Sequence, residues 1–123
     1  MDGLGAAKVL LSQEHRPNVA YKLRLISMMD VRRTELFDDW LRRLNDERAQ
    51  AKIAARIDRL ALCDAGDVKA VGSGVSEMRV DYGPGYRVCF LKKGKVVIVL
   101  LAGGDTSTQC KDIRAALDVA RAL

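Results

Sequence analysis

The stretch from Val75 to Gln109, VSEMRVDYGPGYRVCFLKKGKVVIVLLAGGDTSTQ, decides the fold. Met78, Val80 and Tyr82 alternate with Glu77, Arg79 and Asp81, which is the period of a strand with one covered face. Gly83-Pro84-Gly85 breaks the run, because glycine supplies positive φ and proline fixes φ near −65°. With those three residues as the loop, Tyr82 faces Tyr86, Asp81 faces Arg87, Val80 faces Val88 and Met78 faces Phe90. This register gathers the apolar residues on one face and Glu77, Arg79, Asp81 and Arg87 on the other. A one-residue slip would mix the two faces. On the polar face an Asp81–Arg87 cross-strand pair is expected, worth about 0.2–1 kcal/mol, with the Arg87 side chain free of the core.

Outward from the hairpin the pattern is regular. Lys92-Lys93-Gly94-Lys95 makes the next turn. Val96 to Leu101 shows no alternation, so both of its faces should be covered, as in a central strand. Gly103-Gly104-Asp105 leaves that strand. Thr106 and Gln109 fit a capping box for a last helix that buries Ile113, Leu117 and Ala120.

Upstream, Asp30 to Arg33 reads as a short strand and Thr34 as the cap of the helix after it, with Glu35, Asp38 and Asp39 near its positive end. Phe37, Trp40, Leu41 and Leu44 form an amphipathic stripe. Asn45-Asp46 breaks this helix. A second helix runs to about Cys63, with Ala49, Ile53, Ile57 and Leu60 inward and Arg48, Lys52, Arg56 and Arg59 outward. Val68 to Val71 is a short strand carrying Lys69, followed by a Gly72-Ser73-Gly74 turn. The order β-α-α-β-β-β-α predicts a small α+β domain, a mostly antiparallel sheet packed against an N-terminal helical hairpin with a C-terminal helix. Residues 29–123 are expected to form this domain. Residues 1–28 lack a clear period and read as a flexible extension or a start codon set too far upstream, the alternative being that part of them, such as Ala20 to Ile26, adds a strand or helix.

Composition narrows the classes. A chain of 123 residues is one domain. Its net charge of +5 and pI near 9.3 favour a polyanionic partner. With aromatics at only 5%, a stacking platform for single-stranded RNA is not expected. Cys63, Cys89 and Cys110 are widely spaced and accompany a single histidine, His15, so neither a metal site nor a cofactor is expected; reduced thiols suit the cytoplasm. Val96 to Ala102 is too short for a membrane span.

TELFDDWLRRL, DVKAVGSGVSEMRVDYGPGYRVCFLKKG and VVIVLLAGGDTSTQCKDI, in that order, resemble the RelE/ParE toxin superfamily, in particular its phage-derived addiction-module killer protein branch related to HigB. The resemblance covers about Met29 to Leu123. It implies the toxin of a type II toxin–antitoxin pair. That toxin would be a metal-independent, ribosome-associated endoribonuclease that cleaves mRNA and inhibits translation and growth. A cognate antitoxin, a small helix-turn-helix protein, would neutralise it. Two alternatives share the fold: a ParE-like inhibitor that binds DNA gyrase, and a catalytically degenerate phage remnant.

Cleavage of RNA by its own 2′-hydroxyl needs a base for that oxygen, cations for the charge on the phosphorane, and an acid for the departing 5′-oxygen. The resemblance places Arg87 at the start of the strand where RelE has its arginine. Arg79 and Glu77 fall where RelE-like toxins carry lysines. Glu77 is thereby a candidate base, or else an ion-pair partner of Arg79 or Lys69. Lys69, Lys111 and Thr106 are candidates for substrate binding. The chain departs from the pattern in three ways. Thr106 replaces the lysine of G-G-D-K-S-T-Q, no tyrosine follows Tyr86, and HigB's active-site histidines have no counterpart. The proton donor is left open among Lys69, Lys111 and a ribosomal group.

Overall fold

The computed structural model describes residues 29–94 and 96–123, together with the backbone of Val9–Leu10. Val9–Leu10 forms a two-residue strand, β1, and Asp30–Thr34 forms β2. Residues 1–8 and 11–28, which include Ala20 to Ile26, lie outside the described residues. Of the expected extension, β1 alone is described, and it pairs antiparallel with Arg33 and Thr34.

Thr34 closes β2 and opens helix α1, Glu35–Arg43. Its buried Oγ1 accepts from the Phe37 N–H at 3.2 Å and donates to the Leu101 carbonyl at 2.8 Å, so one hydroxyl caps the helix and ties it to the sheet. Leu44 ends α1. Asp46 accepts from the N–H groups of Arg48 and Ala49 and starts α2, Glu47–Ala61. Ala49, Ile53, Ile57 and Leu60 of α2 and Phe37 of α1 are buried, as the stripes predict.

Four strands follow the helical hairpin, at the four places where the sequence reads as strand. Val68–Gly72 is β3, Val75–Val80 is β4, Tyr86–Lys93 is β5 and Val97–Asp105 is β6. Thr106–Thr108 then makes a 3-10 turn before helix α3, Gln109–Ala122. The six-stranded sheet runs β1-β2-β6-β5-β4-β3 and is antiparallel except for the β2–β6 pair. The fold is α+β. The helical hairpin covers one face with Val31, Met78, Val80, Val88, Phe90, Ile98 and Leu100, while α3 covers Val75, Cys89, Val99 and Leu101 on the other. That division explains why β6 shows no alternation: both of its faces are cores.

Three sequence expectations are corrected here. The hairpin loop is Asp81–Gly85, so Val80 pairs with Tyr86 and Arg79 with Arg87. The Gly85 N–H donates to the Tyr82 carbonyl at 3.0 Å, and that turn, with Gly83 at φ 56°, pulls Asp81 and Tyr82 out of the ladder. The slip is two residues, so each side chain keeps its face but the facing partners change. Second, the cap at the end of β6 is Asp105, whose Oδ1 accepts from the Ser107 N–H at 2.9 Å while Thr108 Oγ1 accepts from the Asp105 N–H at 3.1 Å. The Ser107 hydroxyl bond holds the Asp105 carboxyl below the usual range. Gln109 is thereby freed from capping.

Third, Gly103 and Gly104 lie inside β6 and do not leave it. A Cβ on Gly103 would collide with the Trp40 indole, and one on Gly104 with the Asp112 carboxylate and Thr108. The first contact lets α1 pack on the sheet; the second lets the start of α3 settle directly over β6. Gly103→Ala should therefore cost about 1–3 kcal/mol through overpacking, read as a lower urea midpoint. An unchanged midpoint would show that Trp40 moves aside freely.

Candidate active site

The hairpin loop, the β4 and β5 ends beside it and the turn after β6 enclose a pocket of about 200 Å3 lined by Asp67, Arg79, Val80, Asp81, Gly85, Tyr86, Arg87 and Thr106. Arg79 and Arg87 are directly opposed across the β4–β5 ladder. Two like charges in that position repel, and each has its own carboxylate. Arg79 is exposed and meets Asp67 at 3.6 Å, a loose surface pair of little energetic value. Arg87 is different. Its side chain is 14% exposed, and its Nη1 donates to Oε1 of Glu77 at 3.0 Å.

Glu77 is 1% exposed. It lies on the α3 side of the sheet, where Gln109 Nε2 donates to both of its oxygens at 3.0 and 3.2 Å. A buried carboxylate persists only when paired and hydrogen-bonded, and this one has both. Cys89 sits opposite Glu77 on β5; burial, reinforced by the Glu77 carboxylate, pushes its thiol up to about 12. The Glu77 carboxylate is committed to holding Arg87 and is walled off from solvent.

The expected residues therefore separate. Arg79 and Arg87 share the pocket. Glu77 stands behind it as the anchor of Arg87, and its ion-pair partner is neither Arg79 nor Lys69. Asp81 does not pair with Arg87, and Arg87 is not free of the core. Thr106 lines the pocket, but its hydroxyl donates to the Pro84 carbonyl at 3.0 Å, tying the hairpin loop to the turn after β6. Lys69 and Lys111 are exposed and outside the lining. Tyr86 contributes to the lining, yet its ring packs on Trp40 on the helical-hairpin side; burial raises its phenol further. On the basic ridge of α2, Arg56 is structural: its guanidinium donates to the Ala65 carbonyl at 3.0 Å and to the Arg79 carbonyl at 3.3 Å.

Sequence reasoning misses Asp67 and the contact made by Gln109, and places Asp81 on the polar face only as the expected partner of Arg87. Asp67 and Asp81 bring carboxylates to the lining, and Asp81 has no ion-pair partner among the described residues. Gln109 was assigned to a cap. Only the position of Asp81, two residues along the same face from Arg79, hinted at its place.

A Haemophilus influenzae protein described as an uncharacterized protein is 46% identical over 95 residues, spanning 77% of this chain and 96% of its own length. The chain belongs to the same family as that protein. No family model and no solved structure matches the chain. Among the described residues, no helix is long and apolar enough to cross a membrane.

Proposed function

We propose that the protein is the toxin of a type II toxin–antitoxin pair, an endoribonuclease of RelE/HigB type that acts on mRNA at the ribosome, in the cytoplasm. The observation that carries this reading is the opposed pair Arg79 and Arg87 at one pocket, with Arg87 held rigidly by a buried carboxylate. A guanidinium fork suits a phosphodiester, and a cation fixed before the substrate arrives costs no reorganisation in the transition state. The pI and the ordered motifs S-E-M-R, G-P-G-Y-R and G-G-D-T-S-T-Q support the same reading.

In this mechanism Arg87 binds the scissile phosphate and stabilises the charge on its equatorial oxygens, and Arg79 assists from across the ladder. Asp81 takes the place first expected for Glu77: its unpaired carboxylate opens on the pocket and accepts the 2′-hydroxyl proton. The oxygen then attacks phosphorus, and the P–O5′ bond breaks. The departing 5′-oxygen receives its proton from solvent or from the ribosome. Positioning and charge stabilisation carry most of the acceleration. The cognate antitoxin is a small helix-turn-helix protein.

A specific observation favours a second reading. No histidine or lysine lines the pocket, and the one tyrosine there turns its ring to the opposite face. A site with no proton donor of its own suits a ParE-like protein that binds gyrase and cleaves nothing. Induced expression followed by mapping of RNA 5′ ends and of gyrase–DNA complexes separates the two. New ends within translated messages are expected. Intact messages beside trapped gyrase–DNA complexes would replace the nuclease reading.

A further inference from the structure

We infer that Tyr82 and the outer face of α2 form a shelf that stacks one nucleobase of the substrate strand, next to the nucleotide whose phosphate Arg87 holds. This rests on the reading of the arginine pocket as a phosphate site. The shelf is an open hollow of about 430 Å3 lined by Arg48, Ala51, Lys52, Ala55 and Tyr82. A second hollow, of about 410 Å3, shares Lys52 and Ala55 with the shelf and Asp67, Arg79, Val80 and Asp81 with the arginine pocket. The three run together as one continuous track.

The hairpin loop places the ring. Tyr82 stands outside the β4–β5 ladder, on a turn closed by the Gly85 N–H at its carbonyl, with Gly83 at φ 56° and Gly85 at φ 84°. The ring is half-buried, packed against the core and at the same time lining the shelf. Ala51 and Ala55 are exposed and one helical turn apart, so they share a face and give the shelf a floor free of long side chains. Lys52 Nζ lies 5.9 Å from the Tyr82 ring centroid, within reach of its negative face. A ring beside two methyl groups suits any base, because every base has a π-face. The composition argues against an array of such rings, but one base needs only one. Charge agrees. Arg59 and Arg79 meet Asp64 and Asp67 at 3.7 and 3.6 Å, whereas Arg48 and Lys52 have no carboxylate partner among the described residues. Two such cations beside the ring answer to the phosphates flanking a stacked base.

The test uses the full chain and a tetranucleotide of 2′-O-methyl RNA, which lacks the attacking hydroxyl and is not cut. Its affinity is measured intact and with each base in turn replaced by an abasic sugar. Tyr82→Leu keeps an apolar contact with the core and removes the π-face. Ala51→Gln fills the shelf from an exposed position and exchanges one good helix former for another. Each should weaken binding of the intact tetranucleotide about 5- to 50-fold, the lower part of the value of one stacked base. At one position the abasic sugar should cost the wild type a similar factor and cost either variant almost nothing more, the coupling that a direct contact gives. Unchanged affinity in Ala51→Gln, or losses that no abasic position reproduces, would overturn the inference, whatever the stability of Tyr82→Leu. Arg87→Lys keeps the two readings apart. Coupled stacking with no loss of affinity in Arg87→Lys would keep the shelf and remove the phosphate reading of the pocket. A loss in Arg87→Lys alone would do the reverse, and a wild type that binds no tetranucleotide would overturn both.

Discussion

Arg87→Lys should lower RNA cleavage about 10²–10³-fold, the usual cost of one preorganised donor to developing charge, and should relieve growth inhibition while the protein stays folded. Lysine is the informative replacement because of what lies behind Arg87. Glu77 is 1% exposed and its ion pair is with Arg87 at 3.0 Å. Alanine would strip a buried carboxylate of its cation, and lost activity would then be confounded with unfolding. Lysine keeps a cation beside Glu77 but presents a point charge where the phosphate needs a fork. Cleavage within a few-fold of wild type would mean that Arg87 serves the fold alone.

Glu77→Ala should be the most destabilising single change at the site, costing about 3–5 kcal/mol in urea or thermal unfolding. It removes the one carboxylate paired with the Arg87 guanidinium among the described residues, where Arg87 is 14% exposed, and it takes away the acceptor of the Gln109 amide. Had Glu77 been an exposed base, the same substitution would abolish activity at a cost in stability of no more than about 0.5 kcal/mol. A small loss of stability would therefore return Glu77 to the catalytic role that its spacing from Arg79 suggested.

The framework of this fold is local and was legible. Thr34 caps α1, Asp46 separates the helices, and the stripes of Phe37 to Leu44 and Ala49 to Leu60 name the buried face correctly. The unbroken apolar run of β6 announced a strand between two cores. What escaped was long-range. Alternation shows that Glu77, Arg79 and Arg87 share a face, but it does not show that α3 crosses that face and seals Glu77 while leaving Arg79 exposed. The hairpin register slipped by two because the Tyr82–Gly85 turn closes inside a longer loop, a choice that leaves the hydrophobic pattern unchanged. Gly103 and Gly104 looked like chain punctuation because the partners they admit, Trp40 and Asp112, are distant or follow a turn. Gln109 fits a local capping motif, and nothing in that motif points to its bond with a carboxylate in β4.

The central claim is that the Arg79–Arg87 pocket cleaves messages under translation. A cell-free translation reaction with a defined message, supplied with the full chain or its Arg87→Lys variant and read by primer extension, tests it most directly. The wild type should produce new 5′ ends inside the translated region within the time of a few rounds of synthesis, and the variant should produce them about 10²–10³-fold more slowly. A message that stays intact with the wild type, or equal cutting by both proteins, would contradict the account.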